Sequence, residues 1–225
     1  MQDVKKQERV HDMLLGPLER PALKWLAQHT PRRFTPDTLT IIGILGTIVI
    51  FLGYFLSNFS PGFLWLASLG FVINWYGDSL DGTLARHRKI ERPKFGFFLD
   101  HTVDAFSQIL MFLGLGFSPY VRLDVACLAL VGYLSMTILA YINTIVTGKF
   151  QISYAKIGPT EMRVLAVLIN ISLFFFGNPA FELLGAEITV FDMVVVLIAI
   201  ALLSAFAITS LSFTRKLRYI DQEER

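Results

Sequence analysis

DSLDGTLARHRKIERPKFGFFLDHTVD, residues 78–104, sets four carboxylates, Asp78, Asp81, Asp100 and Asp104, inside or at the edge of segments otherwise apolar enough to cross a membrane. A charge at the bilayer centre costs about 2.5–3.5 kcal/mol on insertion scales, so acids in such segments mark a functional site. Asp78 and Asp81 are three residues apart and Asp100 and Asp104 four, so on helices each pair shares a face. The basic, proline-bearing run HRKIERPKF between them reads as the connection of a helical hairpin. Antiparallel helices joined there bring both acidic faces to one depth, in the half of the membrane nearer that loop.

The rest of the chain supplies the membrane. Apolar residues make up 54% of it and gather into long runs, which excludes an ordinary water-soluble domain. The opening MQDVKKQERVHD is charged and lacks the apolar core of a signal peptide, and the single cysteine, Cys127, rules out an internal disulfide framework. Spans are expected at about 39–56, 63–84, 95–117, 124–146, 164–176 and 188–213. Thr35 and Pro36 read as the N-cap and first position of the helix that carries the first span. Ahead of it, PLERPALKWLAQH places Leu18, Leu23, Trp25 and Leu26 at helical spacing, the composition of an amphipathic helix lying on the membrane surface.

The expected fold is therefore all-α and integral to the membrane, with six transmembrane helices and an N-terminal interfacial helix. Residues 1–35 form an arm, 36–213 the six-span domain and 214–225 a tail. Nineteen of the twenty Lys and Arg residues fall in the arm, the 86–94 loop, the 149–163 segment or the tail. By the positive-inside rule these, both termini and the acid cluster face the cytoplasm, most simply across a bacterial inner membrane. No nucleic-acid partner is expected.

Carboxylates without paired histidine or cysteine ligands favour a hard cation such as magnesium or manganese. Four can hold two ions, the arrangement that clamps attacking and leaving oxygens in phosphoryl displacement. Gly82 and Ala85 leave room beside Asp81 for a bulky ligand, and Arg86 is placed to pair with a phosphate. Taken alone, the acids also fit a divalent cation or proton transporter, although no charge beyond the second and third spans marks a path across. Glycines 43, 46 and 53 in the first span, and 114 and 116 in the third, suit close helix packing.

The ordered set Asp78, Asp81, Gly82, Ala85, Arg86, Gly96, Asp100 and Asp104 resembles the signature of the CDP-alcohol phosphotransferase family, also called CDP-alcohol phosphatidyltransferases. The nine residues between Arg86 and Gly96 are slightly more than the commonest spacing. The resemblance implies transfer of a substituted phosphoryl group from a CDP-alcohol, CDP-diacylglycerol or a CDP-amino alcohol, to an acceptor hydroxyl in phospholipid synthesis, with release of CMP. It implies that Asp78, Asp81, Asp100 and Asp104 hold two magnesium or manganese ions, and that Asp78, Asp81, Gly82, Ala85, Arg86 and Gly96 line the nucleotide pocket. Asp104, or His101 beside it, would act as base, and a homodimer is expected. His101 and the GPTE of residues 158–161 faintly resemble the choline and ethanolamine branch. Lys149, Lys156 and Arg163 point instead to an anionic acceptor, with Lys156 and Arg163 the acceptor contacts, although basic residues there also satisfy topology and anionic lipid.

Overall fold

The computed structural model describes residues 14–147, 158–183 and 186–223, without the side chains of 147, 183, 186 and 219–223. Among these residues the chain forms seven α-helices and one short hairpin: α1 (Gly16–His29), α2 (Pro36–Leu56), α3 (Phe63–Arg88), α4 (Pro93–Gly116), α5 (Leu123–Thr147), α6 (Pro159–Phe176), β1 (Ala180–Leu183), β2 (Ala186–Thr189) and α7 (Val190–Glu223). α2, α5, α6 and α7 are each long and apolar enough to cross a membrane. α3 and α4 match them in length but carry the acids and basic ends. Outward faces are apolar: Ile41, Leu45 and Leu52 on α2, Val131 and Ile138 on α5 and Leu197 and Ile200 on α7 are exposed. That distribution, hydrocarbon outside as well as inside, is that of an integral membrane protein.

Helix ends follow local chemistry. α2 starts where Thr35 Oγ1 accepts the Thr38 N–H at 3.2 Å and Pro36 takes the first turn, as the sequence predicts. The loop after the first acidic pair is shorter than expected. α3 runs on through His87 and Arg88, and Lys89 turns the chain at φ 57° so that its N–H closes on Ala85 and Arg86. Pro93 then starts α4 two residues ahead of the expected span, because proline suits a first helical turn. At the other end, between α6 and α7, Phe181 pairs with Ile188 and Glu182 with Glu187 in an antiparallel hairpin. α7 continues to Glu223, ten residues past the expected end of the sixth span, since no glycine or proline interrupts it.

The core centres on α2 and α3. Ile50, Tyr54, Leu64, Ala67 and Phe71 pack with Ala126 and Ala129 of α5, Leu173 of α6 and Val195 and Ala199 of α7. Tyr54 Oη donates to Asn170 Oδ1 at 3.0 Å and Asn170 Nδ2 to Ser68 Oγ at 3.1 Å, joining α2, α6 and α3 through buried polar groups. Asp192 caps α7: it accepts the N–H groups of Thr189 and Arg122.

α1 has two apolar faces. Leu23 and Ala27 are buried against Leu39, Leu80 and Leu84, while Leu14, Leu18 and Trp25 are 58–74% exposed. One stripe holds the protein and the other is free for lipid. Glu19 Oε1 accepts from Trp75 Nε1 at 2.8 Å and from Thr160 Oγ1 at 2.6 Å, and Glu161 accepts from the Leu15 and Gly158 N–H groups. These bonds fasten α1 across α3 and the start of α6.

Candidate functional site

Backbone contact between α2 and α3 places the first two acids. A Cβ on Gly77 would lie 2.2 Å from Gly43 N and 2.5 Å from Leu39 O, and one on Gly46 would lie 2.4 Å from Asn74 N. Only hydrogen fits at these positions, so the helix axes come as close as backbones permit. Gly43 and Gly46 act here as their spacing suggests, while Gly70 and Gly77, their counterparts on α3, are legible only once the crossing is known. One turn beyond the crossing, Thr40 Oγ1 of α2 donates to Asp81 Oδ2 at 2.6 Å, and the Gly82 N–H reaches Asp81 Oδ1 at 2.5 Å. Both Asp81 oxygens are thereby oriented.

Asp78 is held from the opposite side. Arg163 Nη2 of α6 donates to Asp78 Oδ2 at 2.5 Å, and Arg163 Nε donates to Asn74 Oδ1 at 2.8 Å. Asn74 is fixed in turn by donating to Gly43 O at 3.1 Å and to Thr47 Oγ1 at 3.0 Å. Thr47 donates to Ser107 Oγ at 3.1 Å, and Ser107 lies one turn from Asp104 on α4. A chain of polar groups therefore runs through α6, α3, α2 and α4.

The second acidic pair closes the site from α4. Ligand atoms of Asp100, His101 and Asp104 lie within 4.8 Å of one another. His101 Nδ1 is 3.7 Å from Asp100 Oδ2, and its ring stacks on Tyr141 of α5 at 4.9 Å with Phe97 edge-on at 4.1 Å. Asp104 lies in the electrostatic field of Asp78, Asp100, Asp81 and Arg163, and Asp81 in that of Asp78 and Asp100. All four acids thus lie within electrostatic reach of one another near one end of the helices, with Asp100, His101 and Asp104 gathered at ligand distance. This oxygen-rich set fits a hard divalent cation, with Asp100 and Asp104 already close enough to share one.

Around the acids, Arg86 folds back over Gly82, with Nη2 donating to Thr83 Oγ1 at 3.1 Å, and a Cβ on Gly82 would meet its guanidinium at 3.4 Å. Ala85 is half-buried, and Gly96 is exposed with open space above it. Arg163 stands at Asp78, whereas Lys149 and Lys156 lie outside the described residues. Thr160 and Glu161 of the GPTE segment are engaged with α1 and the first turn of α6. Thr40 and Tyr141 carry no signal in the sequence: one sits in an ordinary helix start, the other in a uniform apolar run.

Known proteins are similar to this chain in sequence. The chain is 38% identical over 98 residues to an archaetidylinositol phosphate synthase of Pyrococcus horikoshii, covering 44% of this chain and 49% of that protein. It is 37% identical over 81 residues to a phosphatidylinositol phosphate synthase of Cutibacterium acnes, covering 36% of each. It is 26% identical over 185 residues to cholinephosphotransferase 1 of Danio rerio, covering 75% of this chain and 47% of that protein. The chain thus spans about half the length, or less, of these curated relatives. The family profile reaches further along the chain than the first two relatives, running from residue 33 at the foot of α2 to residue 206 within α7 and taking in every acid of the cluster; on that match the chain belongs to the CDP-alcohol phosphatidyltransferase family.

Proposed function

We propose that the protein transfers a substituted phosphoryl group from a CDP-alcohol, CDP-diacylglycerol or a CDP-amino alcohol, to an acceptor hydroxyl and releases CMP, as a step of phospholipid synthesis. The observation that carries this reading is the convergence of Asp78, Asp81, Asp100 and Asp104 from α3 and α4 on one site, beside Gly82, Ala85 and Arg86. In the reaction, the acceptor oxygen forms a bond to the phosphorus that bears the donor's alcohol. The bond from that phosphorus to the bridging oxygen of the diphosphate breaks, and CMP leaves with the electron pair. The acceptor's proton passes to Asp104 or His101.

Asp78, Asp81, Asp100 and Asp104 would hold two magnesium or manganese ions, which when bound neutralise the diphosphate and the leaving CMP. Gly82, Ala85, Arg86 and Gly96 receive the nucleotide, and Arg163 and Lys156 the acceptor. Helices α2 to α7 cross the membrane six times, residues 1–35 and 214–225 lie on the cytoplasmic side with the site, and two copies form a dimer. Membership of a transferase family leaves the transporter alternative without support.

The test is CMP release by purified protein with magnesium, given CDP-diacylglycerol with a panel of polar alcohols, then CDP-choline and CDP-ethanolamine with diacylglycerol. Turnover with one donor class, lost on chelation and restored by magnesium or manganese, is expected; no CMP from either class would overturn the reading. Within the same assay His101→Ala separates its two roles. A shared base role predicts a fall in turnover of about 10²-fold or more, whereas near-normal turnover leaves Asp104 as the base.

A further inference from the structure

Arg163 contacts the acid cluster directly, and its setting is unusual for a structural ion pair. Its side chain is 12% exposed and that of Asp78 21%, so the pair lies largely out of water, where a charge left alone is costly. The guanidinium is held along one edge: Nε by Asn74 and Nη2 by Asp78. Nη1 is buried with no hydrogen-bond partner among the described residues. Buried donors in a finished structure are almost always satisfied, so an arginine left with one open N–H is set for a further oxygen.

We propose that Arg163 is the resident counter-cation of the acid cluster, which a divalent cation must displace from Asp78 Oδ2 before that oxygen becomes a ligand. The inference rests on the metal reading given above. Guanidinium and metal ion cannot share the same carboxylate oxygen at contact, because like charges repel strongly in a site this poor in water. Asn74 keeps the arginine from leaving altogether, since Nε stays anchored when Nη2 is released. The freed Nη2 and the open Nη1 then face the cluster together, a fork that suits a phosphate oxygen pair. Cation binding and phosphate binding are thereby coupled in the same direction, and each strengthens the other.

Manganese titration of the detergent-purified, EDTA-stripped protein, read from the spin-resonance signal of free Mn²⁺, tests this. Arg163→Gln is expected to bind Mn²⁺ about 5- to 150-fold more tightly than wild type, the usual range of such coupling. Asn74→Ser, which leaves the charge but removes the anchor of Nε, is expected to tighten binding by a smaller factor. In EDTA the melting temperature of Arg163→Gln falls below that of wild type, and Mn²⁺ restores more of it. Wild-type or weaker Mn²⁺ affinity in both variants overturns the proposal, and if Arg163→Gln does not fold, Asn74→Ser decides alone. A wild-type protein that binds no Mn²⁺, or whose binding survives Asp100→Asn, overturns the metal reading itself and this proposal with it.

Discussion

Asp100→Asn is expected to reduce CMP release by about 10²- to 10³-fold or more, the scale of removing one electrostatic contact from a transition state. The substitution keeps the shape of the side chain, so helix α4 and its packing survive. It removes a carboxylate that acts unfavourably on Asp81 and Asp104 across the site. In chelator the variant should therefore melt no lower than wild type, and the loss of activity should come with no loss of folded protein. Function and stability move apart at this position because the cluster is arranged for a ligand and not for the resting protein. Wild-type turnover in Asp100→Asn would remove Asp100 from the metal site. The paired measurement is CMP release beside a thermal melt of the same preparation.

The second large effect is one of packing. Gly77→Leu places a branched side chain where even a methyl group would lie 2.2 Å from the Gly43 nitrogen. Neither partner is a flexible side chain, so α2 and α3 must separate along their length. Overpacking a core costs about 1–3 kcal/mol and sometimes more, and here the displaced segment also carries Asp78 and Asp81. Loss of most monodisperse protein on size exclusion, or a melting temperature many degrees lower, is expected together with loss of turnover. Gly96→Ala is the contrast, since nothing lies within 4 Å of a Cβ there. Its fold should be unaltered, so any fall in its activity reports the nucleotide. A Gly77→Leu protein as stable as wild type would contradict the close crossing.

What the sequence made legible follows from periodicity. Acids three and four residues apart must share a face when the segment is helical, and the reading of the cluster needed nothing else. The helix start at Pro36 was similarly open to view, whereas Pro93 read as part of the connection and proved to start α4, two residues ahead of the expected span. Contacts across long separations were hidden. Thr40 reaches Asp81 from 41 residues away and Arg163 reaches Asp78 from 85; Thr40 has nothing in its type to set it apart, and Arg163 stood out as a cation without its partner being legible. Gly77 shows the same limit from the other side: its role depends on which residue of α2 lies opposite, which periodicity within α3 does not encode. The hairpin at residues 180–189 escaped because four-residue strands are too short for alternation to stand out from a loop.

The bonds that fasten α1 have a consequence for the order in which the chain assembles. Leu15 is tied to Glu161 and Glu19 to Thr160, across 146 and 141 residues. A chain made from its N-terminus exposes those partners only after α2 to α5 have been synthesised. The glycine crossing of α2 and α3 can close early, whereas the first helix to emerge is among the last to be locked. Arg163 arrives in the same turn of α6. Until then the nascent acid cluster stands without the charge that balances it, so completion of α6 both clasps the surface helix and quiets the repulsion at the site.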